Sequence, residues 1–84
     1  MYYLYVLINI SSKRHYIGTT ENVAVRLRKH NVGAVRSTKP YRPWKVVHIE
    51  EFRDKTSARK RELFLKRTAR ARRELFEQLG GPIV

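Results

Sequence analysis

Eighty-four residues suit one domain, and a domain this small buries a modest share of its surface. A hydrophobic fraction of 42% excludes wholesale disorder, and the absence of cysteine excludes disulfide staples and thiolate metal sites, which fits a reducing cytoplasm. Nineteen Lys and Arg against seven Asp and Glu leave a formal net charge of +12, which calls for a polyanionic partner. Nucleic acid comes first, because Lys and Arg displace counterions from phosphates; an anionic membrane surface comes second and solubility alone third.

The opening stretch, Met1 to Ile10, lacks a basic n-region and a cleavage site of small residues, so it reads as a strand and not as a signal peptide. No apolar run approaches the roughly 18 residues of a membrane span. In the strand over residues 2 to 10, Tyr3, Tyr5 and Leu7 share one face and Leu4, Val6 and Ile8 the other. A strand apolar on both faces is covered on both, which predicts a central position. Asn9 to Arg14 is polar and reads as a hairpin turn, with a second strand over His15 to Gly18. An antiparallel register in which paired numbers add to an odd total brings Tyr16 onto the face of Tyr5; a one-residue slip separates them.

A first helix is expected from about Asn22 to Asn31, with Asn22 as N-cap and Gly33 as the stop. Val23 and Leu27 should face the sheet, with Arg26 and His30, also four apart, on a neighbouring stripe. Residues 33 to 43 read as a loop, and Trp44 to Phe52 as a third strand in which Trp44 is core rather than a base-stacking platform. Asp54, Thr56 and Ser57 offer caps for a helix over about 56 to 68, whose apolar stripe is Ala58, Leu65 and Ala69 with Glu62 among them. A last helix over about 70 to 79 should stop at Gly80-Gly81-Pro82. The expected whole is an α+β single domain over residues 1–84, a small three-stranded antiparallel sheet flanked by helices in the order β-β-α-β-α-α. Its core spans about 2–68, with a C-terminal helical extension over about 70–79.

Five pieces then stand in order: Tyr3-Leu4-Tyr5, Tyr16-Ile17-Gly18, Arg26-Leu27 with His30, "STKPYRPW" and "ARKRELFLK". Together they resemble the GIY-YIG nuclease superfamily, and most closely its small stand-alone single-domain branch. The resemblance implies a DNA endonuclease that hydrolyses phosphodiester bonds with one divalent metal, Mg2+ or Mn2+. By position, Tyr5 and Tyr16 look like the two motif tyrosines and Gly18 like the motif glycine. Arg26 looks like the helix arginine, His30 like the residue one turn later, and Glu62 like the metal-binding glutamate. The first motif reads Tyr-Leu-Tyr in place of Gly-Ile-Tyr, Thr19 stands where some members carry lysine, and the asparagine of repair-type members has no clear counterpart.

The chemistry also follows from the residue types. Mg2+ is content with few carboxylates and keeps waters, so Glu62 with substrate phosphate oxygens would hold it. The guanidinium fork of Arg26 suits two phosphate oxygens. Tyrosine titrates near pH 10, but Arg26 and a metal would favour the phenolate, so Tyr5 is expected to take a proton from water. Tyr16 would hold the water or phosphate, and His30 would orient or share the transfer. Each residue also has a plainer reading: sheet aromatics, a solvated helix cation, a C-terminal helix histidine, and an i,i+4 pair of Glu62 with Lys66. Glu50 and Glu51 are rival metal ligands. Arg36, Lys39, Arg42, Lys45 and Arg59 are expected to contact nucleic-acid backbone, with Arg61, Arg70 and Arg72 as further candidates. The expected substrate is DNA, branched or damaged forms included, with room for a protein partner that supplies targeting and no membrane. A non-catalytic nucleic-acid-binding module on the same fold is the alternative, and a membrane-surface or RNA-associated protein a third.

Overall fold

Strand β1 (Tyr2–Asn9) runs down the middle of the sheet in a computed structural model that describes residues 1–9 and 11–79. Strands β2 (Arg14–Thr20) and β3 (Lys45–Phe52) flank it, both antiparallel, in the order β2-β1-β3. The double-sided apolar pattern accounts for that place, since Leu4, Val6 and Leu7 are 0% exposed and Tyr5 only 1%. Tyr5 lies opposite Gly18 and Leu7 opposite Tyr16, so the paired numbers add to an odd total and both phenols stand on one face. A bulge shifts the β1–β3 register between Val6, opposite His48, and Leu7, opposite Val46.

Helices cover the two faces separately. Helix α1 (Val23–Asn31) packs Val23 and Leu27 on the face of Tyr5, Leu7, Tyr16 and Trp44. Helices α2 (Lys55–Arg67) and α3 (Ala69–Gln78) bring Leu65, Leu75 and Phe76 against Leu4, Val6 and Ile17 on the other. Asn22 caps α1 by accepting from the N–H of Val25 at 3.1 Å, and Asp54 caps α2 by accepting from Ser57 at 2.8 Å. Gly33 takes φ +83°, the left-handed conformation that ends a helix with least strain in glycine.

Several boundaries differ from expectation. Strand β2 continues past Gly18, because the β-branched Thr19 and Thr20 still pair with Leu4 and Tyr3. The stripe Ala58–Leu65 is buried, but Ala69 does not extend it: Thr68 leaves helical geometry at φ −117°, ψ 89°, and Ala69 opens α3 on the surface. The expected stop at Gly80-Gly81-Pro82 and the end of β1 at Ile10 lie outside the described residues.

The loop over 33–43 is tied down at its C-terminal end. It contains a single 3-10 turn, Lys39–Tyr41. The Asn31 amide clamps the Trp44 backbone, accepting from its N–H at 2.7 Å and donating to its carbonyl at 3.1 Å. The Asn9 amide donates to the carbonyls of Tyr41 and Pro43. Four backbone hydrogen-bonding groups are satisfied this way, so the segment is held against the sheet by side chains in place of a ladder.

Candidate active site

Strand β1 delivers the Tyr5 phenol and strand β2 the Tyr16 phenol to the face that α1 crosses, and α1 places Arg26 and His30 above them. The Tyr5 hydroxyl lies 2.8 Å from His30 Nε2, and Arg26 Nε donates to the same oxygen at 3.4 Å. The Tyr16 ring meets the imidazole edge to face, with centroids 5.0 Å apart. Gly18 makes the contact of the two phenols feasible. A Cβ there would stand 2.6 Å from the Tyr5 oxygen and 2.9 Å from Tyr16 Cε2.

The tautomer of His30 decides the proton positions, and we assign it by giving the Thr38 hydroxyl proton to the Val35 carbonyl. His30 is 0% exposed, and its Nδ1 is 2.8 Å from Oγ1 of Thr38. The single Thr38 hydroxyl proton goes to the Val35 carbonyl at 3.3 Å. Oγ1 therefore accepts from Nδ1–H, Nε2 carries the lone pair, and the Tyr5 O–H donates into it. Trp44 Nε1 donates to the Thr38 carbonyl at 3.0 Å and fixes Thr38 in turn. Thr38, 1% exposed, lies inside the "STKPYRPW" piece but is given no role by sequence, and its part in the site emerges only when the loop closes. Trp44 is core, as its spacing predicts.

Burial pushes the Tyr5 phenol up to about 12, outweighing the hydrogen bond from Arg26. This corrects the expected phenolate: in the protein alone, lost hydration exceeds the guanidinium's attraction. Burial first, and the Arg26 charge second, lower His30 to about 4. The imidazole is thus neutral at pH 7, and the site holds one proton between a strong phenol and a free nitrogen. A consequence for stability follows. Unfolded His30 would protonate near its ordinary value of 6.5, before the folded form does. His30 therefore costs no stability above pH 6.5, and a penalty grows as pH falls from 6.5 through 4, reaching roughly 3 kcal/mol. His15 is lowered by burial as well, so urea unfolding at pH 7 and pH 4.5 should be compared with a His30→Gln variant. The variant should lose about 2 kcal/mol less over that interval; an equal loss would remove the assignment.

Glu62 comes from α2, which covers the opposite face, yet its charge helps to raise the Tyr5 phenol. Lys66, one turn on, binds Glu62 Oε2 at 2.8 Å and holds its ammonium 5.8 Å from the Tyr16 ring centre. Arg59 reaches Oε1 at 3.4 Å. Glu62 is 9% exposed, so the two cations supply the partners that a carboxylate on an apolar stripe needs. No group of three or more His, Cys, Asp or Glu side chains converges among the described residues. The donor set fits a hard divalent ion with one protein ligand, the other positions falling to water and phosphate oxygens. The ammonium already lodged on Oε2 marks a place that accepts positive charge. Glu50 is spent elsewhere: Arg61 grips both its oxygens at 2.9 and 3.2 Å, and His48 takes Oε2 at 2.8 Å. Glu51 is exposed at the strand surface.

The basic residues named from sequence do not form one patch. Arg36, Lys39 and Arg42 are exposed in the 33–43 segment, where Arg42 Nε donates to the Lys39 carbonyl at 2.8 Å. Lys45 is exposed at the start of β3, opposite Ile8. Arg61 and Arg70 pair with Glu50 and Glu74, and Arg72 donates to the last carbonyls of α2.

Comparison with known proteins agrees with this geometry. A family model described as the GIY-YIG catalytic domain matches residues 1–75. A UPF0213 protein from Syntrophus aciditrophicus is 38% identical over 79 residues, covering 90% of each chain. Another from Halobacterium salinarum is 35% identical over 88% of this chain and 96% of its own. The solution NMR structure of a UPF0213 protein from Bacillus halodurans superposes with a TM-score of 0.57 at 29% identity, covering 98% of this chain and 89% of the other. With its motif tyrosines, glycine, arginine and histidine gathered on one sheet face, the chain belongs to the GIY-YIG nuclease family.

Proposed function

We propose that this protein is a metal-dependent DNA endonuclease, acting in the cytoplasm as a single domain on branched or damaged DNA in repair or recombination. The observation that carries the reading is the buried phenol of Tyr5, hydrogen-bonded to a neutral imidazole and a guanidinium beside a carboxylate with hard-ion chemistry. Arg26 would bind two oxygens of the scissile phosphate, and Tyr16 would hold the phosphate or the attacking water. Water gives its proton to the Tyr5 oxygen as Tyr5 passes its own to His30 Nε2, so no free phenolate forms. The water oxygen bonds to phosphorus, the bond to the leaving oxygen breaks, and that oxygen is protonated from solvent. A divalent ion on Glu62 would polarise the phosphate and stabilise the charge that develops. A protein partner would supply the targeting that so small a domain lacks.

The test is cleavage of branched, nicked and linear DNA with and without Mg2+ or Mn2+. Metal-dependent cutting is expected; tight binding without cutting under any metal overturns the enzyme reading. One observation favours that second reading, a non-catalytic nucleic-acid-binding module: both Glu62 oxygens are already engaged by Lys66 and Arg59. The two separate through Glu62→Gln, which should abolish metal-stimulated cutting and leave DNA affinity within about twofold, since base and backbone contacts lie elsewhere. Undiminished cutting by the variant would take Glu62 out of the site.

A further inference from the structure

A wide concavity lies beside the tyrosine site. A groove of about 700 Å3 runs along β2 and is closed on its far side by α2 and α3. Among the described residues five cations line it, Lys13, Arg14, Lys66, Arg72 and Arg73, and no carboxylate does. Among the described residues, Lys13, Arg14 and Arg73 have no acidic partner, while Arg59, Arg61 and Arg70 on the same helices do. Lys66 is the one groove cation among the described residues with an acidic partner, Glu62, so the groove gathers four cations with no carboxylate against them. Lys13 adds a second oddity, holding φ +60° in the hairpin turn, where glycine would be less strained. The floor is aromatic. His15 stacks on Phe76 with centroids 4.0 Å apart and planes 12° from parallel, and Tyr16 continues the floor into the site.

We propose that this groove binds an unpaired DNA strand leading away from the scissile phosphate. The inference rests on the nuclease reading and names the substrate class: DNA with a single-stranded tail or flap next to the cut. Tyr16 and Lys66 belong to both the groove and the site, so one strand can pass from one to the other without a gap. A cationic channel with an aromatic floor is the arrangement that holds unpaired strands, because phosphates meet the cations while base faces stack. A duplex turns its bases inward and would leave that floor unused. The volume lies within the roughly 300–1,000 Å3 of clefts that enclose a small ligand, which by that measure is about two or three nucleotides of one strand.

The experiment is fluorescence anisotropy of the full chain without divalent metal, on blunt duplex and on the same duplex carrying a single-stranded tail. The wild type should bind the tailed DNA at least about tenfold more tightly. A Lys13→Glu, Arg73→Glu variant should lose that advantage, and its salt dependence on the tail should flatten by about 1.4 logarithmic units, near 0.7 per phosphate contact. A Lys55→Glu, Lys60→Glu variant has the same net charge, altered on the exposed side of α2, and should keep the preference. Equal binding of tailed and blunt DNA by the wild type, or equal losses in the two variants, would overturn the proposal. Neither result touches the nuclease reading, which cutting with metal decides, and a failure to cut leaves the binding preference measurable.

Discussion

Tyr5→Phe should reduce single-turnover cleavage by a factor of about 10² to 10⁴, the usual worth of a placed proton acceptor, with DNA affinity little changed. The hydroxyl is the one atom that joins Arg26 to His30. With a phenol near 12 and an imidazole near 4, neither group alone is a competent base at pH 7. Passing one proton in and another out spares a free phenolate, and a bound phosphate offsetting the Arg26 charge would raise the imidazole that receives the proton. The pair should then fail as a unit: Tyr5→Phe with His30→Gln should cost little more than either change alone, in the manner of residues sharing one function. Stability should fall by about 1–3 kcal/mol in Tyr5→Phe, because Nε2 of a fully buried imidazole loses its only donor. Cleavage within threefold of wild type would return Tyr5 to the status of a sheet aromatic.

The parts of this site that were legible in sequence are those with a local period. The alternation in β1 places Tyr5, and the register parity puts Tyr16 on its face. The four-residue spacing of Arg26 and His30 sets both on one side of a capped helix. What lay hidden depends on contacts far apart in the chain. Thr38 reaches His30 in a loop whose C-terminal flank, Tyr41 to Trp44, is gripped by both Asn31 and Asn9, and no short-range pattern encodes two such clamps. The tie from Glu62 to the phenols passes through Lys66, which sequence pairs with Glu62 but cannot set over Tyr16. Of the groove cations sequence names Arg72 alone as a nucleic-acid contact, for a similar reason: Lys13 and Arg73 are sixty residues apart and come to line one groove only when α3 docks against β2. The rise of the Tyr5 phenol in the protein alone is hidden from sequence too, which shows the guanidinium but not the extent of burial.

Gly18→Ala should damage both stability and cleavage, although it adds only one methyl group to the strand. Strand β2 is extended at this position, so the obstacle is space and not backbone geometry. The new carbon would lie 2.6 Å from the Tyr5 oxygen and 2.7 Å from Cζ, distances at which something must move. Tyr5 cannot swing aside, being 1% exposed and packed among Leu7 and Trp44. Relief must come from a shift of β2 or from a tilt of the phenol away from His30. Overpacking of this kind costs about 1–3 kcal/mol. A phenol displaced by about 1 Å from the imidazole should lower cleavage by about 10²-fold on positioning grounds alone. The two effects separate by temperature: activity measured well below the midpoint of thermal unfolding should remain depressed while circular dichroism shows a folded chain. Full activity in a folded Gly18→Ala protein would mean that the phenol's distance to the imidazole does not govern the rate, and the proton path through Tyr5 would have to be abandoned.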